Sequence, residues 1–78
     1  DQQRYKELMQ EHAHLSEVVD AFRRHQDAER QLAESRELLH AEKDAELKEM
    51  VREEIEALEN QIEELTGDLR LLLAPKDP

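Results

Sequence analysis

The chain has 78 residues, of which 41% are charged and 3% aromatic, with one glycine, two prolines and no cysteine. This composition excludes a disulfide framework and a thiolate metal site, and it is typical of long helices or a coiled coil. The net charge of −10 argues against direct nucleic-acid binding, because clustered lysine and arginine are needed to neutralise phosphates. No apolar run approaches the roughly 20 residues of a membrane span. We therefore expect an all-α, cytoplasmic chain of one domain at most.

The first predicted helix covers residues 2–40. Its apolar residues recur at spacings of three and four, which indicates one helix face turned toward a partner. That face comprises Tyr5, Leu8, Leu15, Val19, Phe22, Leu32 and Leu39. The missing turns are filled by His12, by His25 or Gln26, by Ala28 or Glu29, and by Ser35 or Arg36. Because the pattern is strongest over residues 5–22, we expect the second half of this helix to pack less tightly.

A loop at residues 41–44 is predicted to separate two helices. Asp44 is a candidate N-cap, since its carboxylate can accept a hydrogen bond from a backbone N–H in the first turn of the next helix. No glycine or proline marks this stretch, so a continuous rod of about 110 Å is the alternative. We favour an antiparallel hairpin, because a rod would leave the apolar face of each helix in water.

The second predicted helix covers residues 45–73 and has the more regular pattern. Spacings of four and three alternate without a break, which predicts a helical partner at a shallow crossing angle. The residues in this pattern are Val51, Ile55, Leu58, Ile62, Leu65, Leu69 and Leu72. Gly67 is a possible C-cap, but the leucines beyond it keep the pattern, so we expect the helix to continue to about Leu73. An extended exit follows at residues 74–78, where two prolines bracket Lys76 and Asp77.

Further apolar residues lie outside these patterns and widen each apolar face. They are Val18, Leu38, Met50, Leu71 and Leu73. Two helices cannot cover faces of this width, so we expect a third helix or self-association to do so. For the isolated chain, the seven residues of the second pattern are the expected contacts for self-association.

Candidate catalytic or metal-binding groups are few. The four histidines, His12, His14, His25 and His40, do not form spaced pairs that would hold a metal. His12 is expected at the edge of the interface between the helices, partly buried. Neighbouring glutamates at 53–54 and 63–64 lack the cleft that raises a carboxyl pKa for acid–base catalysis. A pocket of the usual ~300 Å³ or more is not expected either. We predict no catalytic, cofactor-binding or metal-binding residue.

Several segments, in order, resemble the helical domain of bacterial class I peptide chain release factors. Residues 1–8, 11–15 and 18–23 are similar to its second helix, Leu38 and Leu39 continue the match, and residues 45–50 are similar to the start of the next helix. Residues 71–78 are similar to the Leu-Leu-Pro-Lys-Asp-Pro hallmark of the family. The exit Pro75-Lys76-Asp77-Pro78 is typical of the type that reads UAA and UAG. The chain departs from the family at Ala45, where proline is frequent, and at Ala74.

The resemblance implies a fragment of an N-terminal helical domain that is a three-helix bundle in the full protein. It implies a role in translation termination, with contacts to the ribosome and to accessory termination factors, and no cofactor. The Gly-Gly-Gln and Pro-x-Thr tripeptides, which act in peptide release and codon reading in the family, do not occur in residues 1–78. The alternative is a structural coiled-coil hairpin that binds partner helices in an unrelated protein.

Overall fold

The protein, described over residues 1–75 by a computed structural model, consists in that range of two antiparallel helices. α1 spans Gln2–Ala41 and α2 spans Ala45–Leu73. The molecule measures 65 × 21 × 13 Å, so it is about as long as α1 alone at roughly 1.5 Å per residue. The predicted hairpin is therefore confirmed, and the continuous rod is wrong. Most of the predicted exit, namely residues 76–78, lies outside the described residues.

Two carboxylates hold the loop between the helices. Glu42 Oε1 accepts hydrogen bonds from the backbone N–H groups of Lys43 and Asp44, each at 3.1 Å. Asp44 Oδ1 in turn accepts from the N–H groups of Glu46 at 2.9 Å and Leu47 at 3.3 Å, which confirms the predicted N-cap. No residue of the described chain has a positive φ, so this loop needs no glycine. Hydrogen bonds to the side chains of Glu42 and Asp44 therefore stabilise the turn between the helices.

The interface between the two helices, here called the seam, pairs small residues of α1 with larger ones of α2. Ala21, Ala28 and Ser35 are buried on α1 at seven-residue spacing, which places them in one row. Small side chains there leave room for the larger apolar side chains of α2. The buried α2 residues are Val51, Leu58, Leu65 and Leu69, and Ile55, Ile62 and Leu72 are half-buried. The seam is therefore the regular pattern of α2 set against a mostly small-residue row of α1.

The prediction for α1 was right in its second half and wrong in its first. Leu32 is buried and Leu39 is half-buried. The missing turns of the pattern are filled by Ala28 and Ser35, which are buried, and by His25, which is half-buried. In the first half, the predicted interface residues are all exposed. They are Tyr5 at 67%, Leu8 at 56%, Leu15 at 61%, Val19 at 40% and Phe22 at 46% exposure. The tighter packing therefore lies in the second half of α1, opposite to expectation.

Two geometric causes explain this error. α1 has 40 residues and α2 has 29, so α2 runs back along α1 without reaching its N-terminal end. In addition, Val19 and Phe22 each follow a seam residue, Val18 or Ala21, by one position, which is about 100° around a helix. The early apolar residues thus lie on a different side of α1 from the seam. We call Tyr5, Leu8, Leu15, Val19 and Phe22 the N-terminal stripe.

Gly67 does not end α2. The helix continues to Leu73, as predicted, and the backbone turns extended at Ala74, with φ −64° and ψ 138°. A Cβ added at Gly67 would meet no heavy atom within 4 Å. The glycine is therefore not required by close packing within the described chain.

Candidate functional surfaces

Three of the four histidines are exposed, and one is half-buried. Within residues 1–75, no group of three or more histidine, cysteine, aspartate or glutamate side chains is arranged to hold a metal ion. His12, expected at the edge of the seam, is exposed instead, because α2 does not reach that part of α1. His14 and His40 are also exposed, and only His25 lies at the seam.

His25, one of the two residues predicted to fill a turn of the α1 pattern, is half-buried at the seam, whereas the alternative, Gln26, is exposed. His25 Nε2 lies 3.1 Å from Thr66 Oγ1 on α2, and its Nδ1 lies 2.7 Å from Glu29 Oε1, one turn further along α1. A carboxylate can only accept hydrogen bonds, so Nδ1 carries the proton and donates to Glu29. In the neutral imidazole, Nε2 then accepts from the Thr66 hydroxyl. This polar contact joins the two helices within a seam whose other buried residues, apart from Ser35, are apolar.

The adjacent glutamates lie on the exposed surface of α2. Glu53, Glu54, Glu63 and Glu64 are all exposed. Water surrounds such carboxylates, and an exposed helix face offers no cleft in which a proton could be held for transfer. Their position fits a solvated acidic surface of α2.

A groove of about 390 Å³ lies between the C-terminal part of α2 and the middle of α1. The expectation that the chain forms no pocket of ~300 Å³ or more was therefore wrong, because this groove arises from the way two helices meet rather than from any local motif. Its lining residues are Glu17, Asp20, Ala21, Arg24, Leu65, Asp68, Leu71 and Leu72. We call it the open-end groove. Its lining combines acidic side chains with apolar ones, and Arg24 is the one basic residue among them.

Large apolar side chains are exposed in two further regions. The first is the N-terminal stripe on α1. The second comprises Leu38, Leu47 and Met50, on either side of the loop, at 51%, 47% and 65% exposure. Leu38 and Met50 were predicted to lie off the seam, as were Leu71 and Leu73, which are 79% and 57% exposed. Val18 was predicted there as well but is half-buried at the seam.

Ion pairs contribute little to holding the helices together. Arg36 and Glu59 approach to 4.0 Å across the two helices, and both side chains are more than half exposed. Such surface pairs contribute about 0–1 kcal/mol. Two further pairs each lie within a single helix: Arg30 with Asp27 in α1, and Arg52 with Glu49 in α2. Stability of the hairpin therefore depends mainly on the seam.

In the described part of the chain, neither helix combines the length and the apolar character that crossing a membrane requires.

Comparisons with known proteins cover the entire chain. The family model of the PCRF domain matches residues 1–78. Peptide chain release factor 1 of Treponema denticola and that of Nitratidesulfovibrio vulgaris are each 44% identical to the chain over 78 residues, and that of Bacillus subtilis is 40% identical. Each alignment includes 100% of the chain and 22% of the relative, so the chain spans about a fifth of their length. No solved structure matches the chain significantly.

These matches confirm the resemblance drawn from the helical segments and from the Pro-Lys-Asp-Pro exit. They do not favour an unrelated coiled-coil hairpin, since a shared heptad pattern alone would not extend similarity through the loop and the exit. The chain belongs to the PCRF domain family, and over its own full length it is similar to proteins named peptide chain release factor 1.

Proposed function

We propose that the chain is a helical segment of a translation termination factor that directs release of the nascent peptide at UAA and UAG codons. The observation that carries this proposal is 44% identity over all 78 residues to proteins named peptide chain release factor 1. Because the chain spans 22% of those proteins, peptide release and codon reading would depend on parts outside it. The segment itself serves contacts and has no catalytic role.

Residues 1–78 form, in this proposal, part of the N-terminal helical domain of the factor. The N-terminal stripe supports a bundle of three helices, since its five apolar side chains are between 40% and 67% exposed in the hairpin. A third helix along this face would remove them from water at roughly 25 cal/mol for each Å² of apolar surface. The hairpin would then be the part of the bundle that two helices can form by themselves.

The proposed partners are the ribosome and accessory termination factors, reached through protein surfaces. The net charge of −10 supports this, because an acidic surface repels the phosphates of RNA and attracts basic protein surfaces. Direct contact with nucleic acid is not expected from these residues. A cytoplasmic location follows from the same proposal, since peptide chain termination in bacteria takes place there.

Self-association of the isolated chain is a separate part of the proposal. The contacts expected for it are Val51, Ile55, Leu58, Ile62, Leu65, Leu69 and Leu72, and in the hairpin these residues face α1. Association through them would therefore require two chains to exchange helices, as in domain swapping. The exposed N-terminal stripe could associate without opening the hairpin.

The test is a chimera. The corresponding segment of Bacillus subtilis peptide chain release factor 1 is replaced by residues 1–78, and peptide release is measured on ribosomes halted at UAA, UAG or UGA. We expect release at UAA and UAG. The matched control carries Leu58→Asp and Leu65→Asp, which disrupt the seam and should abolish the chimera's activity.

A well-folded chimera that fails to support release would contradict the proposed role of the segment. A second measurement addresses the protein as a whole. Sequencing the gene beyond codon 78 should reveal, in frame, the Gly-Gly-Gln and Pro-x-Thr tripeptides. Further heptads in their place would support a coiled-coil protein instead.

A further inference from the structure

The open-end groove has an apolar floor and an exposed apolar rim. Ala21 and Leu65 are buried at its base, at 9% and 8% exposure, and Leu72 is half-buried beside them. Leu71 lies at the rim and is 79% exposed, more than any other large apolar side chain of the described residues. When a partner covers a leucine in this position, apolar surface is removed from water, and this burial favours binding.

Acidic side chains dominate the walls of the groove. Glu17 and Asp20 of α1 and Asp68 of α2 line it, with Arg24 as the one cationic lining residue. Within residues 1–75, none of these three carboxylates lies within 4.0 Å of a basic side chain. The apolar floor is thus bordered by three carboxylates and one guanidinium group, which leaves the groove with a net negative charge.

This groove and the N-terminal stripe lie on different sides of α1. Phe22 of the stripe is one residue beyond Ala21 and is turned about 100° in one direction. Asp20 of the groove is one residue before Ala21 and is turned by the same angle in the other direction. A helix that covered the stripe would therefore leave the groove accessible.

We propose that the open-end groove binds a cationic amphipathic helix of a partner protein, with apolar side chains on Ala21, Leu65 and Leu71 and with lysine or arginine beside the carboxylates. Charge complementarity favours this occupant over a second copy at the groove, because the carboxylates that line the groove would face the predominantly acidic surface of that copy. A groove between two helices also matches the way amphipathic helices bind to helical proteins. This inference rests on the proposed function, because the partner is taken to be a protein that acts in translation termination.

The probe is a short fluorescein-labelled peptide of leucine, alanine and lysine, with leucines at spacings of three and four and lysines on both sides of them. Its affinity for the 78-residue chain is measured by fluorescence anisotropy at low and high salt. A peptide with glutamate in place of each lysine is the control. We expect binding of the lysine peptide that weakens with salt, and little binding of the glutamate peptide.

Variants locate the binding site. Leu71→Ala should weaken binding about tenfold, whereas Leu15→Ala, the same change on the N-terminal stripe, should not. Asp20→Asn and Asp68→Asn should each weaken it about threefold, whereas Glu53→Gln and Glu63→Gln, outside the groove lining, should have smaller effects. All six side chains are exposed, so the hairpin should retain its helix content in each variant.

Several results would overturn the inference. Equal binding of the two peptides would exclude recognition by charge, and a larger effect of Leu15→Ala would place binding on the N-terminal stripe. Dimers that dissociate on Leu71→Ala, without peptide binding, would assign the groove to a second copy of the chain. None of these results would alter release by the chimera, and a failed chimera would not alter peptide binding, so the two proposals are tested independently.

Discussion

At the scale of single residues, His25 combines burial with complete pairing of its polar atoms. Its side chain is 20% exposed, and its two ring nitrogens lie 3.1 Å from Thr66 Oγ1 and 2.7 Å from Glu29 Oε1. A buried polar group that lacks a partner costs about 1–3 kcal/mol, so this arrangement avoids a penalty at the seam. Among residues 1–75, no buried side-chain nitrogen or oxygen lacks a hydrogen-bond partner.

The contact between His25 and Thr66 predicts an energetic coupling between the two helices. Thr66→Val keeps the shape and the helix propensity but removes the hydroxyl. We expect it to lower the free energy of unfolding by about 0.5–1.5 kcal/mol, the usual contribution of one hydrogen bond. A double-mutant cycle with His25→Leu, measured by urea unfolding, isolates the pair. Additive effects would show that the contact does not contribute.

The burial of Leu58 predicts that removing its side chain lowers the stability of the hairpin. It is 5% exposed, so Leu58→Ala should destabilise the hairpin by about 2–5 kcal/mol. Leu71→Ala is the matched control, since Leu71 is 79% exposed and its truncation should change stability by less than about 0.5 kcal/mol. Thermal unfolding followed by circular dichroism compares them. A Leu58 variant as stable as the control would mean that the seam is not buried.

At the scale of the helices, α1 and α2 are built differently. α2 has one apolar face, so it is strongly amphipathic, whereas α1 as a whole has almost no net amphipathic character. The reason is that the N-terminal stripe and the seam residues lie on different sides of α1, and their directions largely cancel. The regular apolar pattern of α2 therefore packs on α1, whereas α1 presents one apolar face to α2 and a second apolar face to solvent.

The surroundings of Gly67 predict that replacing it with alanine stabilises α2. Nothing lies within 4 Å of a Cβ built there, and its φ is not positive. Gly67→Ala should therefore stabilise the helix by up to about 1 kcal/mol, because alanine loses less backbone entropy on folding. Circular dichroism and urea unfolding provide the measurement. Destabilisation instead would indicate that a second copy of the chain packs against this position.

At the scale of the whole molecule, the hairpin leaves much apolar surface uncovered. The N-terminal end of α1 extends past α2, and in the described range no side chain is fully buried below 2% exposure. A chain of this size buries a modest fraction of its surface, and an unsupported helical segment is marginally stable in water. The uncovered faces are consistent with a module that is completed by a third helix.

This geometry predicts how the isolated chain behaves in solution. We expect high helix content with low stability as a monomer, and a melting temperature that rises with protein concentration, since association covers apolar surface. Melting curves at several concentrations, combined with analytical ultracentrifugation, provide the measurement. A strictly monomeric chain whose melting does not depend on concentration would contradict this expectation.

The sequence by itself determined the properties that depend on neighbouring residues. The helical periodicity, the Asp44 cap and the unbroken pattern past Gly67 are local, and each is found in the structure. The regular spacing of α2 also identified its buried face, because only one face of that helix is apolar. The family resemblance depended on the order of short segments and on the exit motif, and comparison with relatives confirmed it.

Only the tertiary structure decided which side of α1 meets α2. The N-terminal stripe and the row of Ala21, Ala28 and Ser35 both satisfy helical spacing, and the stripe has the larger apolar side chains. The short loop and the 29-residue length of α2 keep α2 away from the N-terminal end of α1. Along the part of α1 that α2 does reach, small residues let the leucines of α2 approach. Burial depends on where the partner lies, and a pattern within one helix does not contain that information. The open-end groove has the same origin, since it exists only where two helices meet.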